Sequence, residues 1–168
     1  MPLPADVELP PEDGDTFAAN ALGKARAAAD ATGEVAIADD SGIEAEALGG
    51  APGVYSARYA GEHASDAENL AKLLREAPAG SPVAYVCAIA YADPASGAVE
   101  LFEGRCTGRL AAEPRGDGGF GYDPAFVPDD LPPEPERTMA ELTPQEKDAI
   151  SHRGRAARAL LGWLGDAD

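Results

Sequence analysis

The length and charge of the chain set the first limits on its fold and function. Its 168 residues suffice for one domain with a sizeable hydrophobic core. The formal net charge of −17 repels polyanions and argues against binding along a nucleic-acid backbone. No run of about 18 apolar residues is present, so we expect no membrane-spanning helix. Cys87 and Cys106 lie in strand-like apolar runs, and the first residues lack the basic and apolar regions of a signal peptide, so we expect two buried thiols in a reducing cytoplasm.

The N-terminal part predicts an extended segment followed by a helix. Residues 1–14 are rich in proline and acidic side chains and indicate an extended leader. Asp15 or Thr16 can cap a helix over about Phe17–Ala31, because a side-chain oxygen before the first turn accepts a free backbone N–H. Gly33 is expected to end this helix, since glycine is favoured just past a helix C-terminus.

Two adjacent carboxylates follow the next apolar run. Val35–Ala38 is typical of the end of a buried strand, Ser41-Gly42 of a tight turn, and Ile43–Leu48 of a half-buried strand. Asp39 and Asp40 would then lie at the turn, where their repulsion favours a nearby cation. One or two carboxylates plus substrate phosphates are the usual ligands of Mg²⁺. A solvated acidic turn fits these residues as well, so the motif alone leaves both interpretations open.

The middle of the chain predicts a helix and three strands. Ser65-Asp66-Ala67-Glu68 is a capping box and therefore a helix start. Val83–Tyr91 is apolar on both faces, as expected of a central strand. A turn at Asp93–Gly97 would connect it as a hairpin to further strands at Ala98–Glu103 and Arg105–Leu110.

The last third predicts a short strand and one long helix. Ala125–Val127 is a short apolar run. Thr143-Pro144-Gln145-Glu146 combines a capping box with proline at the first helical position, a strong indication of a helix start. We expect a single helix from there that buries Leu160, Leu161 and Leu164.

A glycine-rich loop carries a candidate base-stacking residue. Gly118–Pro124 places three glycines around Phe120, and glycine lets a backbone approach a ligand closely. A planar ring on such a loop can stack on a nucleobase. A structural turn whose phenylalanine fills the core fits the same residues.

Hydrogen-bond donors and scarce lysines form the remaining candidate features. Ser151–Gly154 contains several donors in succession, which suit an oxygen-bearing purine edge but also an ordinary polar turn of an exposed helix. The chain has only three lysines, and two of them, Lys24 and Lys147, lie near other candidate motifs. Lys24 follows a candidate acidic metal ligand, Glu12. Most surface lysines are solvated, but this scarcity favours a functional role for both.

Taken together, these motifs resemble those of one family. They occur in family order and at family-like spacing: Glu12–Phe17, Asn20-Ala21, Lys24-Ala25, Ala38–Gly42, Gly49–Tyr59, Phe120–Pro124 and Ser151–Gly154. The chain resembles the non-canonical purine nucleoside triphosphate pyrophosphatases, the inosine/xanthosine triphosphatase type, from about residue 8 to the C-terminus. Several independent motifs make this resemblance far more specific than any single one.

The resemblance implies a fold and an activity. The fold would be α/β, with an elongated mixed β-sheet, flanking helices and two lobes around a central cleft, formed by residues 1–168 as a single domain. The activity would be hydrolysis of ITP, dITP and XTP to the nucleoside monophosphate and pyrophosphate, with Mg²⁺ as cofactor. The family further implies a homodimer, while the net charge and the lack of a long apolar run lead us to expect no nucleic-acid or membrane partner.

The resemblance also assigns roles to individual residues. Asp40 would be the general base, and Glu12 and Asp39 would hold the metal with Asp40 close to it. Lys24 and Ser41 would contact phosphate. The remaining assignments concern the base and the cleft: Phe120 would stack on the purine, Gly121, Tyr122 and Asp123 would shape its pocket, Lys147, His152 and Arg153 would read the base, and Arg58 would line the cleft.

Two departures from the family pattern matter. Family members begin with a strand, a Thr/Ser-x-x-Asn-x-x-Lys phosphate loop and a helix, and the chain starts where these elements have ended. The family's usual Glu before Asn20 is Ala19 here. We therefore expect that Met1 is internal and that the true reading frame begins about 30 residues upstream, which leaves room for these elements. The alternative to an enzyme is a truncated, non-catalytic relic that binds nucleotides or dimerises.

Overall fold

The computed structural model describes residues 2–4 and 7–166 as one antiparallel sheet flanked by helices. The helices are α1 (Phe17–Thr32), α2 (Asp66–Glu76), α3 (Pro144–Ile150) and α4 (His152–Asp166), and the strands are β1 (Ala36–Ala45), β2 (Pro82–Ala92), β3 (Val99–Leu110) and β4 (Phe126–Pro128). The strand order is β1-β2-β3-β4, and every neighbouring pair is antiparallel. The predicted α/β class with flanking helices is confirmed, and the described strands contain no parallel pair.

Strand β1 is continuous, whereas the sequence predicts a strand, a turn and a second strand. It pairs with β2 along all of its 10 residues. Gly42 does not form a turn but permits close packing, because a Cβ there would overlap the Ser56 hydroxyl and lie 2.9 Å from Phe17 Cε1. Asp39 and Asp40 therefore lie in mid-strand, where successive side chains project to opposite faces of the sheet.

The position of β1 in the sheet also differs from the prediction. It is an edge strand rather than a buried one, and Val35 and Ile37 are 49% and 52% exposed. The strand ends at Ala45, and Glu46–Leu48 forms a short 3₁₀ turn in place of the predicted strand continuation. This edge position leaves the acidic part of β1 accessible from outside the sheet.

Strand β3 is also continuous where the sequence predicts two strands. Gly104, at the predicted break, lies in mid-strand opposite Cys87. A Cβ at Gly104 would overlap the His152 carbonyl oxygen and lie 2.5 Å from the Ala156 nitrogen. The glycine thus allows the first turns of α4 to lie directly on the sheet. At Gly42 and Gly104 alike, the need for glycine comes from a partner distant in sequence.

The predicted helix starts are confirmed. Thr16 Oγ1 accepts the Ala19 backbone N–H at the start of α1, and Gly33 ends that helix in the left-handed conformation with φ of 69°. Ser65 and Thr143 both form complete capping boxes, at α2 and α3. These contacts join residues three positions apart, which is why the local sequence predicts them well.

The prediction for the C-terminal helix is wrong in two respects. Helices α3 and α4 are separate, because Ser151 has an extended backbone and its Oγ accepts the Gly154 N–H at 3.0 Å, as a helix N-cap does. Leu160 is buried as predicted and Leu164 is half-buried, but Leu161 is 65% exposed. Leu161 therefore lies on the outer side of α4.

Helices α1 and α4 cover opposite faces of the sheet. Alternate residues of β2 show this arrangement: Val86 and Ala88 pack with α1, whereas Cys87 and Ile89 pack with α4. In the predicted extended leader, residues 2–4 and 7–14 form neither helix nor strand, and residues 1, 5 and 6 lie outside the described part. No helix within the described ranges is both long and apolar enough to cross a membrane.

Candidate active site

Asp40 projects from β1 towards α1 and is held by two side chains of that helix. Asn20 Nδ2 donates a hydrogen bond to Asp40 Oδ2 at 3.0 Å, and Lys24 Nζ lies 3.5 Å from Asp40 Oδ1. Asn20 and Lys24 are one helical turn apart and so reach the same point. Burial, the largest influence, raises the pKa of Asp40, while Asn20 and Lys24 oppose the shift. The Asp40 side chain is only 11% exposed, so the solvated acidic turn is ruled out.

Asn20 is a further candidate site residue, which the sequence-based assignment lacks. It is 5% exposed, and its Oδ1 accepts the Gly14 backbone N–H at 2.8 Å, which fixes the orientation of the amide. The signal that could have identified it is its place on the buried stripe of α1 between Phe17 and Ala21 and Ala25. A polar amide on an apolar stripe requires a buried partner. Here that partner is the Asp40 carboxylate.

Glu12 and Asp40 share the ammonium group of Lys24. Lys24 Nζ lies 2.6 Å from Glu12 Oε1, and the lysine side chain is only 13% exposed, so it is not the solvated surface lysine of the simpler interpretation. Arg58 Nη2 donates to the Glu12 carbonyl oxygen at 2.9 Å and so anchors the leader beside α1. The Arg58 guanidinium also lies 5.2 Å from the ring centroid of the exposed Tyr55. Arg58 therefore has a positioning contact, and its predicted place in the cleft stays a prediction.

Asp39 contacts α4 rather than α1. Its Oδ2 accepts a hydrogen bond from Arg153 Nε at 3.1 Å, and its side chain is 46% exposed. Ser41, two residues further along β1, shares this face. The structure thus brings together Glu12 and Asp40 but directs Asp39 to the other side of the strand.

The carboxylates near β1 are candidate ligands of a metal ion. Within residues 2–4 and 7–166, no three His, Cys, Asp or Glu side chains converge to form a metal cluster. Magnesium is usually held by one or two carboxylates, with substrate phosphates and water as the other ligands. Glu12 and Asp40, which already enclose a cationic group, fit this donor set.

Phe120 is presented on the surface between two cationic groups. Its side chain is 57% exposed, so it does not fill the core. Lys147 Nζ lies 4.3 Å and Arg153 Cζ 5.5 Å from the centroid of its ring. An exposed ring with cations at hand offers both a stacking surface and hydrogen-bond donors to a nucleobase.

Asp123 is buried beneath the Phe120 loop and bonds three of the residues around it. It is 1% exposed, and its Oδ2 accepts the Phe120 backbone N–H at 2.8 Å as well as a hydrogen bond from Lys147 Nζ. Its Oδ1 accepts the Tyr85 hydroxyl at 3.1 Å. Gly119 is required beside it, since its φ of 73° favours glycine and a Cβ there would overlap Asp123 Oδ2. The buried carboxylate thus joins the loop, β2 and α3.

Gly121 and Tyr122 hold the loop rather than face outward with Phe120. The Gly121 N–H donates to Asp66 Oδ2 at 2.7 Å, at the start of α2. The Tyr122 hydroxyl donates to the Ser56 carbonyl oxygen at 2.7 Å, and the residue is 5% exposed. Burial raises the pKa of Tyr122, so its hydroxyl stays protonated as a donor. Their contacts agree with a role in shaping the loop.

His152 is buried and neutral. It is 5% exposed, and burial, aided by the charges of Arg153 and Lys147, lowers its pKa to about 3. Its ring stacks on Tyr85, with centroids 4.7 Å apart and an interplanar angle of 11°. Among the described residues, its Nδ1 is the one buried side-chain polar atom without a hydrogen-bond partner. Together with the buried Ser151, this excludes an ordinary polar turn of an exposed helix.

The chain is closely similar to known proteins in both sequence and fold. The model of the Ham1 family matches residues 2–163. The chain belongs to the Ham1 family. A dITP/XTP pyrophosphatase of Mycolicibacterium paratuberculosis is 52% identical over 163 residues, which cover 95% of this chain and 78% of the relative. A second dITP/XTP pyrophosphatase, from Desulforamulus reducens, is 52% identical over 157 residues and is covered to 76%.

Solved structures of Ham1 proteins share the fold. A HAM1 protein from Coxiella burnetii superposes with a TM-score of 0.86 at 45% identity, over 95% of this chain and 82% of that one. The Ham1 protein of Staphylococcus aureus gives a TM-score of 0.85 at 41% identity, over 97% and 82% of the two chains. The family resemblance inferred from the motifs is confirmed.

In this Ham1 chain, Arg153 connects the Phe120 ring with β1, the strand that also carries the Asp40 group. That group surrounds Asp40 and includes Asn20, Lys24 and Glu12. Arg153 bonds Asp39 on β1 through Nε while its Cζ lies near the Phe120 ring. The exposed ring is therefore joined through Arg153 to the residue next to Asp40, whose own carboxylate faces α1 on the other side of the strand.

Proposed function

We propose that this chain hydrolyses non-canonical purine nucleoside triphosphates, namely ITP, dITP and XTP, to the nucleoside monophosphate and pyrophosphate. The observation that carries the proposal is the position of Arg153, which lies beside the exposed ring of Phe120 and bonds Asp39, the neighbour in β1 of the half-buried Asp40. Such an arrangement offers one end for a base and another for phosphates. Two relatives named dITP/XTP pyrophosphatase, each 52% identical, support the reaction.

The base would bind at the Phe120 end. The exposed ring offers a stacking surface for any purine. The Lys147 ammonium and the Arg153 guanidinium beside it can donate hydrogen bonds to acceptor atoms of the base. His152 is neutral, so one ring nitrogen carries a proton and the other accepts. A 6-oxo purine presents an oxygen to these donors, whereas ATP presents an amino group and leaves them without a partner. Discrimination of this kind reaches about 10⁴ in sites built on such bonds.

The reaction would take place at the Asp40 end. Asp40 would accept a proton from the attacking water, whose oxygen forms a bond to the α-phosphorus. The bond between that phosphorus and the α–β bridging oxygen breaks, and pyrophosphate leaves with its electron pair. Asn20 fixes one Asp40 oxygen by its hydrogen bond, and Lys24 is close enough to offset charge on the phosphates. Ser41 is proposed to contact phosphate from the neighbouring face of β1.

Glu12 and Asp40 would hold Mg²⁺, with Asp39 a further candidate from the other side of the strand. When bound, the cation supplies charge neutralisation at the phosphates. The carboxylates suit it because hard oxygen ligands are what Mg²⁺ prefers. We also propose, from the family resemblance, that the protein acts as a homodimer in the cytoplasm, with residues 1–168 forming one catalytic domain.

Pyrophosphate release tests the proposal directly. Purified protein should release pyrophosphate from ITP, dITP and XTP when Mg²⁺ is present, and far more slowly from ATP. Asp40→Asn should abolish most of this release, whereas Asp30→Asn, an exposed carboxylate on α1, should not. Tight ITP binding without any release would instead support the non-catalytic relic. Equal turnover of ITP and ATP would contradict the proposed reading of the base.

A further inference from the structure

Tyr85 lies beneath the proposed base site and contacts two of its residues, Asp123 and His152. Its hydroxyl donates to Asp123 Oδ1 at 3.1 Å. Its ring stacks on His152, with a centroid distance of 4.7 Å, and also on Phe126, at 4.5 Å and an interplanar angle of 24°. One buried residue of the central strand therefore touches the carboxylate that holds the Phe120 loop and the imidazole that would read the base.

The placement of Tyr85 follows from the sheet. It lies in β2 opposite Ile43 and Cys106, on the face covered by α4, and is 6% exposed. Burial, with the nearby Asp123 charge, raises the pKa of Tyr85 well above its usual value. Its hydroxyl therefore stays protonated and can donate to the carboxylate.

We propose that Tyr85 is a specificity-determining positioning residue that acts on the base through two routes. This inference rests on the proposed function of the same site. The hydroxyl fixes Asp123, and through it Phe120 and Lys147. The ring fixes the plane of the His152 imidazole.

The two routes affect binding differently. Stacking on Phe120 tolerates any purine because every base has a π-face, so the hydroxyl controls affinity for all purine nucleotides. Hydrogen bonds from His152 depend steeply on direction, so the ring plane controls the preference for a 6-oxo group. Removing the hydroxyl and removing the ring should thus have distinguishable effects.

Tyr85→Phe tests the hydroxyl route. The variant keeps both ring stacks and deletes only the donor to Asp123. We expect the Kd values for inosine monophosphate and adenosine monophosphate, measured by calorimetry, both to rise by about tenfold, with their ratio unchanged. The monophosphates serve as probes because they lack the anhydride bond and are not turned over. Affinities within about twofold of the wild type would overturn the hydroxyl route.

Tyr85→Leu tests the ring route. We expect the preference for inosine monophosphate over adenosine monophosphate to fall by about tenfold or more, beyond the loss of affinity seen in Tyr85→Phe. Tyr91→Leu is the matched control, since Tyr91 lies on the same face of β2 but packs edge-on against Trp163, at 5.0 Å. The control should keep the wild-type ratio of the Kd values for the two monophosphates. If folded Tyr85→Leu also keeps this ratio, the ring route is overturned.

The outcomes separate this inference from the proposed function. If the wild type prefers inosine monophosphate but releases no pyrophosphate from ITP, the enzymatic proposal fails and the binding ratios still decide the role of Tyr85. If the wild type binds the two monophosphates equally, the specificity role is overturned. Thermal unfolding verifies that each variant is folded, and if Tyr85→Leu is not, Tyr85→Met, which also lacks the ring but fills more of its volume, takes its place in the same comparison.

Discussion

Asp39 and Asp40 are neighbours in β1, yet their carboxylates contact helices on opposite faces of the sheet. Asp40 Oδ2 lies 3.0 Å from Asn20 Nδ2 of α1, and Asp39 Oδ2 lies 3.1 Å from Arg153 Nε of α4. A strand separates adjacent side chains in this way. The two residues, which look equivalent in the sequence, therefore have different surroundings and should have different roles.

Substitution of each carboxylate should distinguish these roles. Asp40→Asn removes the proton acceptor but keeps its size, so kcat for ITP should fall by about 10²–10⁴ while nucleotide binding changes little. Asp39→Asn loosens Arg153 and should act mainly on KM and on the preference for ITP over ATP. Steady-state kinetics of both variants provides the measurement. Equal losses of kcat in the two variants would contradict a catalytic role for Asp40 and a binding role for Asp39.

Asn20→Ala should shift the pH dependence of turnover. The hydrogen bond from Asn20 lowers the pKa of Asp40, so its loss lets that pKa rise further. A base works when deprotonated, and activity is lost as pH falls through its pKa. The acidic limb of the kcat profile should therefore move to higher pH.

Asn69→Ala is the matched control for this experiment. Asn69 is also a buried helical asparagine, and it bonds the backbone of Ala57 and Ala60 rather than a carboxylate. Both substitutions strand buried polar groups and should lower stability by about 1–3 kcal/mol. Only Asn20→Ala should move the acidic limb. A matching shift in both variants would show that the effect is one of stability.

Lys24→Met should make the apoprotein depend on a divalent cation for stability. The variant leaves Glu12 and Asp40 to face each other without the ammonium group that lies between them. We expect its Tm to fall, and added MgCl₂ to restore it by more than the same salt stabilises the wild type. Lys72→Met, which removes an exposed i,i+4 pair with Glu76, should change Tm much less and show no such rescue. Absence of rescue in Lys24→Met would argue against metal binding by this pair.

His152 should make the fold sensitive to mild acid. Its pKa is lowered to about 3 in the folded state by burial, while the unfolded chain binds a proton near the ordinary value of 6.5. Stability from the neutral ring is therefore present above pH 6.5 and is lost as pH falls towards 3. His152→Gln should flatten the dependence of the unfolding free energy on pH in this window. Leu160→Ala, which truncates a buried side chain of α4, should lower stability at every pH instead.

Local contacts explain which parts of the structure were predictable. Thr16, Ser65 and Thr143 each cap a helix through an atom three residues away, and the sequence predicts all three starts correctly. The apolar run of β2 likewise specifies a central strand, because both of its faces must be covered. The acidic pair and the aromatic loop are also visible in the residue types, whereas the exposure of Phe120 was decided only by the structure.

The sequence by itself determined the helix starts, the central strand, the order of the motifs and hence the family. Only the tertiary structure decided what lies beside each residue. Gly42 and Gly104 read locally as breaks, yet they are mid-strand because Phe17 and α4 pack against them. Asn20 joins the site through a carboxylate 20 positions away, and Tyr85 through one 38 positions away. Such contacts depend on how the strands and helices pack, so they cannot be predicted from the residue pattern of a single segment.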